Sequence, residues 1–168
     1  MLSMTRFQKM FNTKFKYPYV FMNNELFSNE FKTKIKETAV SVVKFVEITP
    51  HQWSYPAHID RKKAEICMQE MMKANINYGG SLSYRHMCRK SLFFSSSFSC
   101  KGFYSGFFFR HESLKEYDWY WRLEPDVEFY CSVEQDPFIF MEENQKVYGF
   151  NIDLYENRNV IETLGETV

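Results

Sequence analysis

The sequence lacks an excess of charge of either sign, and it lacks any long run of apolar residues. Its 21 basic residues balance its 21 acidic residues, so net charge gives no support to a nucleic acid or an acidic membrane surface as a partner. Residues 1–16 interleave lysine and arginine with apolar residues and therefore build neither a secretory signal nor a spanning helix. Any membrane association is expected to depend on an anchor that this sequence does not contain.

Cysteine is also scarce, and its spacing excludes the common structural zinc sites. The sequence contains no C-x-x-C pair and no paired-histidine cluster. The four cysteines are Cys67, Cys88, Cys100 and Cys131. In an oxidising compartment they allow up to two disulfide bonds in any of three pairings. Free buried thiols fit the sequence equally well.

Aromatic residues are what the sequence has in abundance. They make up 19% of the chain, with 18 Phe, 11 Tyr and 3 Trp. Rings at this density first supply core packing, and some of them suit the faces of sugars and of a guanine ring. With 168 residues and an apolar share of 45%, the chain is expected to form one domain with a sizeable core.

The densest aromatic stretch runs from Asp118 to Glu124 and continues into a Glu-Pro-Asp triplet. Trp, Tyr and Leu suit a packed strand, and a proline keeps the preceding residue extended, so a buried strand is predicted to end at Glu124. Ligands of open α/β sheets gather beyond the carboxyl ends of the strands. Glu124 and Asp126 are therefore predicted to hold a divalent cation that carries a diphosphate. The alternative is an ordinary turn that leaves a strand.

A second candidate site follows the only adjacent pair of glycines. Tyr78-Gly79-Gly80-Ser81 precedes a predicted helix that carries Arg85 and Arg89. A glycine turn that opens a helix lets backbone N–H groups approach an anion, and arginines four residues apart lie on one face and can reach a diphosphate together. The alternative is that both arginines are solvated or paired with acids.

The remaining pattern predicts an α/β fold. A helical lead-in over residues 1–16 is followed by a β-α-β unit with parallel strands: a strand at Tyr19 to Met22, a helix from Ser28 to about Val40, and a strand at Val42 to Ile48. Asn23 follows the first strand, where it is either a donor contact or a turn residue.

Further elements are predicted from capping signals and apolar spacing. Asp60 caps a helix whose stripe of Ala64, Cys67, Met68, Met71 and Met72 is expected to face the core. Asp136-Pro137 begins a short helix that ends at Asn144. A strand is predicted at Val147 to Asp153, and the tail from Asn157 to Val168 begins a helical pattern.

Three motifs closely resemble, in their order, the signature of the fungal α-1,2-mannosyltransferases of glycosyltransferase family 15. They are Tyr84-Arg85-His86-Met87-Cys88-Arg89, Phe103-Tyr104-Ser105-Gly106-Phe107-Phe108, and the stretch from Tyr117 to Val127. The resemblance extends over nearly the whole chain except residues 90–102. These residues separate Arg89 from Phe103, which are adjacent in the family pattern, and we interpret them as an atypical insert from a retained intron or a gene-model error.

The resemblance implies the N-terminal part of a GT-A-like, Rossmann-type mixed sheet flanked by helices, with residues 1–168 forming part of a catalytic domain. It further implies GDP-mannose as donor, Mn²⁺ as cofactor, retention of anomeric configuration, and a mannosylated glycoprotein or glycolipid as acceptor in the Golgi lumen. Tyr84 matches the family's active-site tyrosine. The expected donor-binding residues are Arg85, Arg89, Tyr78, Gly79 and Asn23, and the expected metal ligands are Glu124 and Asp126.

Two further family residues, a histidine metal ligand and a candidate nucleophilic carboxylate, lie beyond the part of the family pattern that this chain matches. The resemblance therefore predicts little or no transferase activity for this chain alone. The alternative function is a non-catalytic nucleotide-sugar-binding fragment or an inactive truncated gene product. The proteins that the chain resembles are type II membrane proteins of the Golgi, which are held in the membrane by an N-terminal anchor.

Overall fold

The computed structural model describes residues 2–50, 52–55, 59–88, 108–125 and 127–152, without the side chains of residues 85, 87 and 88. The chain divides into two compact units. Unit 1 comprises Met1–Thr49 and Glu112–Gly149, and unit 2 comprises Pro50–His111 and Phe150–Val168. The elements in chain order are α1 (Leu2–Phe7), a π-helical turn (Gln8–Asn12), α2 (Thr13–Phe15), β1 (Tyr19–Asn23), α3 (Asn29–Thr38), β2 (Val43–Glu47), α4 (Arg61–Lys73), α5 (Leu82–Cys88), two 3-10 turns (Phe108–Arg110 and Glu112–Leu114) and α6 (Pro137–Glu143).

The predicted β-α-β unit is confirmed in unit 1. Strands β1 and β2 pair in parallel, with Tyr19 opposite Val43. Helix α3 lies between them in the chain, and the Ser28 side chain caps it by accepting a hydrogen bond from the backbone N–H of Phe31 at 3.1 Å. Ile35 on α3 is completely buried, which fixes the helix against the core of unit 1.

The helical lead-in is also confirmed, and it forms much of the core of unit 1. Phe7 and Phe11 lie one turn apart with ring centroids at 5.1 Å, and both are buried. A π-helical turn is wider than an α-helical turn and brings residues five positions apart onto one face. Asn12, five positions after Phe7, is likewise buried.

Two amide side chains of the lead-in satisfy backbone groups elsewhere in unit 1. Asn12 donates from Nδ2 to the carbonyl of Tyr17 at 2.8 Å, and its Oδ1 accepts from the N–H of Tyr17 at 2.7 Å. Gln8 donates to the carbonyl of Thr38 at 2.9 Å and accepts from the N–H of Val40 at 3.0 Å. The backbone groups before β1 and at the end of α3 have no hydrogen-bond partner within the sheet or the helix. The side chains of Asn12 and Gln8 supply these partners.

The C-terminal part of unit 1 begins its helix as predicted. The Asp136 side chain accepts from the N–H groups of Phe138 and Ile139, and Pro137 occupies the first turn of α6. The other carboxylate oxygen of Asp136 accepts from the Tyr17 hydroxyl at 2.6 Å. Burial, followed by the hydrogen bond and charge of Asp136, raises the pKa of Tyr17 to about 12.

The prediction for α4 is only partly correct. Asp60 caps the helix by accepting from the N–H groups of Lys62 and Lys63. The stripe predicted to face the core is covered only in part, because Ala64, Met68 and Met71 are half-buried whereas Cys67 and Met72 are exposed. Amphipathic spacing identifies residues that share a helix face, but it does not determine that another element covers that face.

Two predicted strands are absent from the part of the chain that the structure describes. Residues 118–124 and residues 147–152 are not paired with β1 or β2, which form the two-stranded sheet of these residues. Val147 and Tyr148 are largely exposed. Alternating apolar residues fit an extended chain, but a strand also requires a neighbouring strand to accept its hydrogen bonds.

The predicted insert at residues 90–102 and the predicted helical tail at residues 157–168 lie outside the described residues. Among the helices that the structure describes, none combines the length and the apolar character needed to cross a membrane. Cys67 and Cys131 are free and exposed. In this structure neither of these two thiols forms a disulfide bond, and neither is buried.

Candidate functional site

Trp121 anchors the aromatic stretch of unit 1 to the helical lead-in. Its ring lies edge-on at 5.3 Å from both Phe7 and Phe11. Leu123 packs against the same core, and side chains alternate between half-buried and exposed from residue 117 to residue 124. An extended backbone produces this alternation because successive side chains point to opposite sides. Glu124 is consequently presented on the exposed side.

Glu124 shares that exposed side with Arg122, two residues earlier, and the two side chains form an ion pair. The Glu124 side chain is 51% exposed. An ion pair in this environment contributes only about 0–1 kcal/mol, so a divalent cation can replace Arg122 as the partner of the carboxylate. Asp126, the second predicted ligand, lies outside the described residues.

The donor set determines which kind of metal the site fits. Among the described residues, no group of three or more His, Cys, Asp and Glu side chains is placed to hold a metal ion. This excludes an all-protein metal cage within those residues. A cation bound to a nucleotide diphosphate needs only one or two protein carboxylates, because phosphate oxygens supply further ligands. Glu124 fits this second arrangement.

Asn23 has the turn role that was one of its two predicted roles. Its side-chain amide donates to the carbonyl of Glu25 at 3.0 Å, and its own carbonyl accepts from the N–H of Ile48 at 2.7 Å. These bonds fix the chain where β1 ends, in unit 1. A donor contact by Asn23 stays a prediction.

In unit 2, the turn between α4 and α5 is tightly constrained. The N–H of Gly79 donates to the carbonyl of Ile76 at 2.9 Å, and the N–H of Ser81 donates to the carbonyl of Tyr78 at 3.0 Å. Gly79 is buried, and a Cβ at this position would lie 2.8 Å from the carbonyl carbon of Met71 and 2.9 Å from the oxygen of Ile76. The glycine is required by its contact with the end of α4, a reason that the sequence does not reveal.

Two predicted site residues of unit 2 contact each other directly. The rings of Tyr78 and Tyr84 stack with centroids at 4.6 Å and planes at 17°. The Ser81 hydroxyl accepts from the N–H of Tyr84 at 3.2 Å, in the first turn of α5. Arg85 follows in α5, but its side chain and the whole of Arg89 lie outside what the structure describes. The expected diphosphate contacts of these arginines therefore stay predictions.

His86 has a structural role in unit 2. It is buried, and its ring lies edge-on to Tyr55 at 4.8 Å and to Trp53 at 6.4 Å. The Tyr55 hydroxyl also contacts the sulfur of Met68 on α4 at 3.7 Å. The loop aromatics thus anchor residues 52–55 to the helices of unit 2.

The chain matches a known family over its full length. The profile of the family described as glycolipid 2-alpha-mannosyltransferase covers residues 1–168. The chain is 46% identical over 156 residues to the glycolipid 2-alpha-mannosyltransferase of Saccharomyces cerevisiae, covering 93% of this chain and 32% of the relative. It is 39% identical to the O-glycoside alpha-1,2-mannosyltransferase omh1 of Schizosaccharomyces pombe, covering 96% of this chain and 38% of the relative. The chain thus spans about a third of the length of these relatives.

Solved structures show the same likeness. The chain superposes on the mannosyltransferase Ktr4p of S. cerevisiae in complex with GDP with a TM-score of 0.84 and 41% identity, over 97% of this chain and 39% of that one. It superposes on core-mannan synthase A of Aspergillus fumigatus in its Mn/GDP form with a TM-score of 0.85 and 31% identity, over 98% and 41%. The predicted α/β glycosyltransferase fold is thereby confirmed, and the chain belongs to the glycolipid 2-alpha-mannosyltransferase family.

Proposed function

We propose that this chain is the donor-binding part of a retaining α-1,2-mannosyltransferase, which transfers mannose from GDP-mannose to mannosyl acceptors on glycoproteins or glycolipids. Such a reaction builds N-glycans, O-glycans or cell-wall mannan. The observation that carries the proposal is the superposition of 97% and 98% of the chain on two family enzymes, one with GDP and one with Mn and GDP. The chain matches about two fifths of each of these enzymes, and we place the donor site in this part.

Within this proposal, Glu124 and Asp126 hold Mn²⁺. When bound, Mn²⁺ supplies positive charge that offsets the negative charge on the departing diphosphate. Arg85 and Arg89 pair with the diphosphate through charge-assisted hydrogen bonds. The Tyr84 hydroxyl lies beside the donor sugar and stabilises charge at the reacting carbon.

The remaining donor contacts follow from the position of Asn23 at the end of the first strand and of Gly79 in the glycine turn. Asn23 at the end of β1 contacts the nucleotide, and Gly79 allows the chain to approach it closely. The reaction takes place in the lumen of the Golgi. A fluorescent fusion of the full-length gene product that accumulates in the cytosol would contradict that location.

The test of the donor site is GDP binding by calorimetry with and without Mn²⁺. Glu124→Gln removes the charge of the predicted ligand with little change in shape, and binding in the presence of Mn²⁺ is expected to weaken by at least about tenfold. Glu128→Gln is the matched control. Glu128 is likewise an exposed carboxylate paired with an arginine, Arg6, and this variant is expected to bind as tightly as the unmutated chain.

The outcome is decisive in either direction. Equal binding by the Glu124 and Glu128 variants, or binding that does not depend on Mn²⁺, would contradict the proposed metal site. A transfer assay with GDP-mannose, Mn²⁺ and a mannoside acceptor then distinguishes a mannosyltransferase from the second candidate function, a fragment that binds the nucleotide sugar without catalysis. Because the chain covers only 32% of its yeast relative, GDP binding without turnover would favour a non-catalytic nucleotide-sugar-binding fragment.

A further inference from the structure

We infer that Tyr78 is a positioning residue, whose ring holds the ring of Tyr84 and thereby fixes the Tyr84 hydroxyl beside the donor sugar. The inference rests on the proposed function, and it replaces the direct donor contact that the sequence predicts for Tyr78. It is carried by four properties of unit 2: the stacking of the two rings, the exposure of Tyr78, the backbone conformation of Tyr78, and the rigid attachment of its turn.

The stacking places Tyr78 against one face of Tyr84. A centroid distance of 4.6 Å with nearly parallel planes is within the range of favourable offset aromatic pairs. Tyr78 is 66% exposed, whereas Tyr84 is half-buried. Tyr78 therefore contributes little apolar burial to the fold, while its ring stacks on that of Tyr84.

The backbone of Tyr78 is in an unfavourable conformation for a bulky residue. Its φ of 57° lies in the left-handed region, which glycine, asparagine and aspartate adopt more readily than other residues. A tyrosine at this position destabilises the turn relative to asparagine unless the ring provides a compensating contact. The stack with Tyr84 is that contact.

The turn that carries Tyr78 is firmly attached to the end of α4. The N–H of Ile76 donates to the carbonyl of Met71 at 3.0 Å, and the N–H of Asn75 donates to the carbonyl of Met72 at 3.1 Å. Gly79 lies in contact with Met71. The Tyr78 ring therefore stands on a fixed support, and the stack restricts the side-chain torsions of Tyr84 to those that keep the rings parallel.

The test compares the affinities for GDP-mannose and for GDP, both measured by calorimetry with Mn²⁺ on the chain as it exists. The ratio of the two affinities isolates contacts with the donor mannose. Tyr84→Phe removes the hydroxyl and is expected to lower this ratio roughly two- to tenfold. Tyr78→Asn tolerates the left-handed turn but lacks the ring, and it is expected to lower the ratio to a similar extent. Tyr78→Phe keeps the ring and is expected to restore it.

The double variant Tyr78→Asn/Tyr84→Phe tests whether Tyr78 acts through Tyr84. Its ratio is expected to match that of Tyr84→Phe alone, because two residues that act through one hydroxyl are not additive. A merely structural role would weaken both ligands equally and leave the ratio unchanged. A direct donor contact would make Tyr78→Phe lower the ratio and make the double variant additive. Either result overturns the inference.

Tyrosine ring NMR signals distinguish failure of this inference from failure of the proposed function. The Tyr84 ring signals, identified by their loss in Tyr84→Phe, are expected to move in Tyr78→Asn and to stay in place in Tyr130→Phe, where the ring is 90% exposed. Unmoved Tyr84 signals with normal GDP binding overturn the positioning role alone. Absence of Mn²⁺-dependent GDP binding overturns the proposed function and, with it, the donor-sugar role of both tyrosines.

Discussion

The two units hold their candidate site residues in different ways. In unit 1, Glu124 lies on an extended segment whose alternate side chains, among them Trp121, pack into an aromatic core. In unit 2, Tyr84 lies on a seven-residue helix, where Ser81 accepts from its N–H and the ring of Tyr78 stacks on its ring. Damage to the core should therefore unfold unit 1, whereas damage to the turn should change the local geometry of unit 2.

The largest effect is expected for Phe11→Ala, which breaks the aromatic core of unit 1. Phe11 is 2% exposed and contacts Phe7 and Trp121. Removal of a buried phenylalanine ring is expected to lower the free energy of unfolding by about 3–5 kcal/mol, measured by urea denaturation. Phe140→Ala, at a ring that is 49% exposed, is the control and should cost much less. Equal costs would show that the core is not concentrated around the lead-in.

Gly79→Ala tests how closely the turn of unit 2 packs on the end of α4. The added Cβ meets backbone atoms of Met71 and Ile76 at 2.8 and 2.9 Å, so the turn must shift, and a cost of about 1–3 kcal/mol is expected. Gly149→Ala is the matched control in unit 1. Its Cβ would lie 3.7 Å from the sulfur of Met141, an ordinary contact, and a change within about 0.5 kcal/mol is expected.

Thermal or urea unfolding of both glycine variants measures these costs. Tyrosine ring signals then report whether Gly79→Ala also separates Tyr78 from Tyr84, as a shifted turn requires. A Gly79→Ala variant with unchanged stability and an unchanged stack would contradict the close packing of the turn on α4.

The smallest effect concerns the bond between Tyr17 and Asp136 in unit 1. The folded-state pKa of Tyr17, about 12, is above its ordinary value of 10.0, so the fold favours the protonated phenol. The associated stabilisation is fully present below pH 10 and is lost as the pH rises from 10 towards 12. Because Tyr17 is only partly buried, solvent screening limits this contribution to about 1 kcal/mol or less.

Tyr17→Phe removes this contribution, so the difference in unfolding free energy between the two proteins should shrink across the same pH window. Tyr130→Phe, at a ring with 90% exposure, controls for the titration of the other residues. A difference for Tyr17→Phe that stays constant from pH 8 to pH 12 would contradict the assigned role of Asp136.

Elements with a local signal were predictable from the sequence. Ser28, Asp60 and Asp136 each cap the helix that follows them, because a cap depends on one side chain and the next three backbone groups. The parallel β-α-β unit was predictable because a strand, a helix and a second apolar strand in succession have few other arrangements.

Elements that depend on distant partners were not predictable. The stretch from Asp118 to Glu124 has the alternation of a strand, but its half-buried side chains pack on a helix far away in the sequence. The stack of Tyr78 on Tyr84 depends on the left-handed backbone of Tyr78, and nothing in the residue type indicates that conformation.

The ion pair of Arg122 with Glu124, in contrast, was predictable from the sequence. Side chains two residues apart on an extended chain point to the same side, and these two have opposite charges.

The contacts between the lead-in and the end of unit 1 have a consequence for biosynthesis. Arg6 pairs with Glu128 and Tyr17 with Asp136, across separations of 122 and 119 residues. A ribosome that adds about 5–20 residues per second needs roughly 6–24 s to produce the second partner after the first. During that interval the phenylalanine-rich helix has emerged without the segment that covers it. Apolar surface exposed in this way is prone to aggregation, and slower translation between residues 50 and 111 would prolong its exposure.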